Sequence, residues 1–137
     1  MADYLIRSGA PSDAPFIFST WLRGYRRSSF ARPIPSSVYF SIHHQVIERI
    51  FARPSVQVHV ACDPTDSDQI FGYIVSEGTQ VIHWVYTKMM YRGRGLARAL
   101  LFEAGVDPAH CTFTHLSEMG PELQARYPHS VYNPYLL

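Results

Sequence analysis

Val56, Val58 and Val60 alternate with Gln57, His59 and Ala61, and the run closes at Cys62. That period of two is the mark of a strand with one face toward a core. Gln69 to Glu77, QIFGYIVSE, reads as the next strand, with Gly72 permitting a bulge or a close backbone approach. Gln80 to Thr87, QVIHWVYT, is a third aromatic and β-branched run. Asp63 to Asp68 and Gly78-Thr79 separate the three as polar turns, so the pattern predicts an antiparallel meander.

Helical spacing brackets this meander. Tyr4 to Arg7 is a short first strand closed by Ser8-Gly9-Ala10-Pro11. Asp13 suits a helix N-cap with Pro15 in the first turn, and Phe16, Ile17, Trp21 and Leu22 recur at helical spacing until Gly24, which is expected to end the helix. Ser36 or Ser37 caps a second helix, in which Val38, Ile42, Val46 and Ile50 form the expected core stripe, widened by Phe40, Ile47 and Phe51. Pro54 stops it.

After the third strand of the meander, a helix is expected from Leu96 to Ala104, with Gly105 as its C′ residue. Cys111 to His115 is the next strand, parallel to Gln80–Thr87 because a helical crossover joins them. Gly120-Pro121 starts a last helix through Tyr127, Pro128 stops it, and Val131-Tyr132 is a final strand. The order is β-α-α-β-β-β-α-β-α-β. This is an α/β (α+β) domain over residues 1–137, with a mixed, mostly antiparallel sheet of about six strands flanked by about four helices.

Charge narrows the function classes. Twelve Lys and Arg face eleven Asp and Glu, for a net +1, which argues against general nucleic-acid binding. Cys62 and Cys111 form no C-x-x-C pair, so zinc and dithiol chemistry are not expected and both read as buried thiols. His43 and His44 are adjacent and would point about 100° apart on a helix, which disfavours a shared metal. Asp63, Asp66 and Asp68 lack the glycine and closing glutamate of a calcium loop. No run approaches a membrane span, so a cytoplasmic protein without a membrane partner is expected.

The segment after the third meander strand carries the chemistry. Gly93 and Gly95 allow positive φ, and the helix beginning near Gly95 offers unpaired N–H groups and the positive end of its dipole. Lys88, Arg92, Arg94 and Arg98 add four positive charges within eleven residues, which suits a ligand with several phosphates.

Arg92-Gly93-Arg94-Gly95-Leu96-Ala97 resembles the Q/R-x-x-G-x-G/A pyrophosphate-binding motif of the GNAT superfamily of N-acetyltransferases, in a strand-turn-helix context. The element order is similar to that family over almost the whole chain. The end departs from it, being short for a seventh strand, so either that strand is missing or a homodimer partner or the last residues Tyr135-Leu136-Leu137 complete the sheet.

The resemblance implies an acetyl-CoA-dependent N-acetyltransferase, with the primary amine of a small molecule or protein attacking the thioester directly. It places acetyl-CoA between Gln80–Thr87 and Cys111–His115. The main chain at Val85, Tyr86 and Thr87 would pair with the pantetheine, and Arg92, Gly93, Arg94, Gly95, Leu96 and Ala97 would hold the pyrophosphate. The Val85 or Tyr86 N–H would stabilise the oxyanion. His83 is the expected base, with Glu77 and Glu118 as alternatives, and Tyr127 is the expected acid, with Tyr132 as runner-up. Pro128-His129-Ser130 replaces the family's usual Gly-Phe after that tyrosine, and the alternative function is a catalytically weak module that binds a protein partner. Tyr25, Phe30, Trp84, Arg26 and Arg27 are candidates to line the acceptor cleft.

Overall fold

Six strands lie side by side in the order in which they occur along the chain. The computed structural model describes residues 3–117 and 120–136. Strands β1 (Leu5–Ser8), β2 (Val56–Asp63), β3 (Asp66–Glu77) and β4 (Val81–Thr87) are antiparallel. Strand β5 (Thr112–Phe113) runs parallel to β4, and β6 (Val131–Tyr132) parallel to β5. Helices α1 (Ala14–Arg26) and α2 (Ser36–Phe51) precede β2, α3 (Leu96–Ala104) joins β4 to β5, and α4 (Gly120–Arg126) joins β5 to β6. The expected element order therefore holds.

Strand β3 divides the core between the two faces of the sheet, with a change of phase at Phe71, the residue left over where Ala61 pairs with Gly72 and Cys62 with Ile70. Tyr73 and Val75 pack with Trp21, Tyr25, Ile47 and Ile50 of α1 and α2. Phe71 and Ile74 pack with Leu96, Leu100 and Ala104 of α3 on the opposite face. Successive strand side chains point to opposite faces, so one strand serves both layers. Fully buried residues such as Ile47 and Leu100 each contribute roughly 1.5–3 kcal/mol by leaving water.

The structure revises four boundaries or faces. Strand β3 begins at Asp66 rather than Gln69, because the Asp63 carboxylate accepts from the Thr65 N–H and hydroxyl, each at 2.8 Å, and tightens the turn. Strand β5 is two residues long, since it diverges from β4. Gly24 does not end α1, which runs on to Arg26.

The fourth revision concerns α2, whose inward face carries Tyr39, His43, Ile47 and Ile50, while Val38, Phe40 and Ile42 are 49%, 40% and 53% exposed. The helix is turned because its polar groups have partners inside: the Tyr39 hydroxyl donates to Leu22 O at 2.6 Å, and His43 meets His115. Satisfied polar groups can be buried at little cost.

Candidate active site

Strands β4 and β5 separate almost as soon as they meet. Their register is only Val81 opposite Thr112 and Ile82 opposite Phe113, with the Thr112 N–H donating to Gln80 O (2.7 Å) and the Thr114 N–H to Ile82 O (3.1 Å). Beyond this point β4 has β3 on one edge and a cleft on the other.

A bulge sets which backbone groups face that cleft. Val75 pairs with Trp84 and Ser76 with Ile82, which leaves His83 as the extra residue. The Lys88 N–H donates to Phe71 O at 2.8 Å. By the alternation of an antiparallel ladder, Lys88, Tyr86 and Trp84 then direct their backbone groups toward β3, while Val85 and Thr87 direct theirs to the open edge. The Thr87 carbonyl is accordingly free to accept from Arg92 Nε at 3.2 Å.

The cleft has a volume of about 1020 Å³, and every expected cofactor-binding residue except Arg94 lines it: Val85, Tyr86, Thr87, Arg92, Gly93, Gly95, Leu96 and Ala97. Gly93 and Gly95 have φ of 78° and 77°, and a Cβ at either would meet nothing within 4 Å. Their exposed side is thus open to a ligand. No side chain caps α3 at Gly95, so its first N–H groups remain available to an anion. Arg98 also lines the cleft, whereas Arg94 lies over the Tyr91 ring at 5.6 Å and Lys88 over Phe16 at 6.0 Å.

The opposite wall comes from α1 and its C-cap residue, with Thr20, Arg23, Gly24 and Arg27 lining the cleft at helical spacing. Thr20 and Arg23 had no signature in the chain, because only the seating of α1 on β4 brings them there. Of the residues expected around the acceptor, Trp84 and Arg27 line the cleft. Tyr25 is buried, Phe30 stacks on it at 5.9 Å, and Arg26 donates to Ala31 O and Ile34 O to hold the loop after α1. Arg126 and Tyr127, at the end of α4, close the cleft. Tyr132 is absent from its described lining and instead contributes, after burial, to the raised pKa of Tyr25.

His83 lies beneath the cleft rather than in it. Its side chain is fully buried, with Nδ1 2.8 Å from Thr114 Oγ1 and Nε2 2.9 Å from Glu77 Oε1. Thr114 Oγ1 is also 2.9 Å from His115 Nδ1, and His115 Nε2 is 2.9 Å from His43 Nε2. Burial lowers the pKa of all three histidines, holding His43 at about 4 and His115 well below its ordinary value, while Glu77 only partly opposes the shift at His83. Burial alone would raise the Glu77 pKa, but hydrogen bonds from Ser55, His83 and Arg53 outweigh it and hold the carboxyl at about 2. Glu77 is therefore a weak base at neutral pH, and His83 has no ring nitrogen free for contact with an amine. Glu118 lies outside the described residues.

No protein-family model matches this chain, and no curated protein does. Solved structures do match. A Pyrococcus furiosus protein classed as an acetyl transferase superposes with TM-score 0.63 at 19% identity, over 95% of this chain and 81% of that one. A Clostridium acetobutylicum protein classed as an acetyltransferase, solved with acetyl-CoA, gives 0.59 at 14% identity, over 90% of this chain and 88% of that one. A GNAT-family acetyltransferase of Staphylococcus aureus gives 0.51 at 14% identity, over 74% of this chain and 62% of that one.

The chain has the GNAT fold. The open sheet and the crossover helix α3 belong to that fold. Among the described residues no cluster of His, Cys, Asp or Glu could hold a metal ion, and no helix is long and apolar enough to cross a membrane.

Proposed function

We propose that this protein is an acetyl-CoA-dependent N-acetyltransferase. The observation that carries the reading is the joining, in one cleft, of an open strand edge at Val85 and Thr87 to the unobstructed glycine turn at Gly93–Ala97. An extended pantetheine pairs with the edge as an added strand would, and the pyrophosphate sits on the turn and the start of α3. The Clostridium acetobutylicum structure, which shares the fold and holds acetyl-CoA, supports the choice of cofactor.

The acceptor amine enters from the α1 wall. Its nitrogen forms a bond to the thioester carbonyl carbon, the C–S bond breaks, and Tyr127 gives its phenolic proton to the departing thiolate. The Val85 N–H faces the developing oxyanion. Among the described residues lining the cleft there is no carboxylate or imidazole, so the amine loses its proton to water in the open cleft. Arg23 donates from Nε to Ser19 O at 3.2 Å, which orients its guanidinium, and Arg27 lies one turn along the same wall. That wall favours an acceptor bearing an anionic group in addition to its amine.

Amine-dependent release of the CoA thiol, followed with a thiol reagent across a panel of amines and amino acids, tests the reading. Turnover with at least one amine is expected. Acetyl-CoA binding without turnover across the whole panel would contradict it.

A further inference from the structure

The fork that opens the cleft is tied by a single line of buried side chains running from β3 to α2. Thr114 makes the last backbone bond between β5 and β4, and its hydroxyl lies between His83, the bulge residue of β4, and His115. His83 continues to Glu77 of β3, and His115 to His43 of α2. Thr114 and His83 are fully buried, and His115 nearly so. The line thus joins three strands and a helix at the point where the sheet splits.

Proton counting gives the line one direction. The Glu77 carboxylate can only accept, and it already takes bonds from Arg53 Nη1 and Ser55 Oγ. With the three imidazoles neutral, each has one N–H. His83 must therefore donate from Nε2 to Glu77, leaving Nδ1 to accept from the Thr114 hydroxyl. Thr114 has then spent its only proton and accepts from His115 Nδ1–H, and His115 Nε2 accepts from His43 Nε2–H. One acceptor at the β3 end fixes the tautomer of all three histidines.

We infer that this directed chain fixes the opening of the β4–β5 fork, and that Thr114 is the positioning residue for the thioester arm of the cofactor. The inference rests on the reading of the cleft as an acetyl-CoA site. Thr114 and His83 are not among the cleft-lining residues, so they act through the strands they join. The glycine turn lies beyond the far end of β4 and does not depend on the tie.

Two measurements test it. Imidazole ¹⁵N NMR of the wild-type protein at neutral pH should show His83 and His43 as Nε2–H tautomers and His115 as the Nδ1–H tautomer; tautomer mixtures or a reversed His115 would overturn the directed chain. In titrations, Thr114→Val should weaken acetyl-CoA by about tenfold or more while 3′,5′-ADP, which carries only the phosphate end, binds as to wild type. Thr114→Ser should restore acetyl-CoA affinity. An unchanged Val variant, equal loss of both ligands, or a Ser variant as weak as Val would each overturn the positioning role. If Thr114→Val does not fold, acetyl-CoA affinity and retained tautomers in Thr114→Ser decide the matter. If wild type binds neither ligand, the cofactor reading fails, while the NMR result still tests the tie.

Discussion

Gly24 of α1 rests on the Trp84 ring of β4, so closely that an added Cβ would lie 2.8 Å from Trp84 Cζ2. Trp84 is in turn stacked on Trp21, with 6.1 Å between ring centroids, and has little room to yield. This contact seats α1 over β4 and makes the helix a wall of the cleft. It also explains a glycine inside a helix, where the residue ordinarily weakens structure.

The contact predicts the sign of a substitution. Were Gly24 merely a helical position, Gly24→Ala would stabilise by about 0.5–1 kcal/mol through helix propensity. Overpacking against Trp84 costs roughly 1–3 kcal/mol, so a net loss is expected, read as a lower urea midpoint at unchanged slope.

Acid should weaken the fold before it reaches ordinary carboxylate pH. His43, His115 and His83 have folded pKa values below the unfolded value of about 6.5, so the unfolded chain takes up protons first as pH falls. Their contribution is full above pH 7 and is lost as pH falls from about 6.5 toward the folded value of about 4 at His43. Glu77, held at about 2, adds a further loss below its ordinary range. Urea unfolding at pH 7 and pH 5 should differ by about 2 kcal/mol or more, and His43→Gln should reduce that difference.

Tyr127→Phe removes the proposed acid but keeps the ring. The turnover number should fall by roughly a hundredfold with the KM for acetyl-CoA little changed. An unaltered turnover number would remove Tyr127 from the chemistry.

Arg23→Gln tests the acceptor wall. For an amino acid acceptor the KM should rise by about tenfold, and for the corresponding amide it should not, because a charge-assisted hydrogen bond contributes about 1.5–3 kcal/mol. Equal effects on acid and amide would refute recognition of an anion.

What could be read from the chain was what depends on neighbours in sequence. The turn at Gly93–Gly95, the C′ role of Gly105 and the close approach at Gly72 are local backbone requirements, and the structure has each of them. What could not be read depends on distant partners. His83 looked like a cleft base because its type and position say nothing of Thr114, 31 residues away. The first half of the α2 stripe was misplaced for the same reason, while Ile47 and Ile50 are buried as expected. Val38 and Ile42 are more apolar than Tyr39 and His43, yet the polar pair faces inward because Leu22 O and His115 await it. Hydrophobic spacing selects a helix, but long-range hydrogen bonds select its face.

Calorimetric titration with acetyl-CoA, comparing wild type with Gly95→Glu, tests the central claim most directly. A glutamate there would place a side chain and a negative charge on the open side of the turn, at a positive φ that L side chains rarely adopt. Binding in the micromolar range, about −8 kcal/mol, is predicted for wild type, with no measurable heat for the folded variant. Absence of heat with wild type, or equal binding by both proteins, would contradict the account.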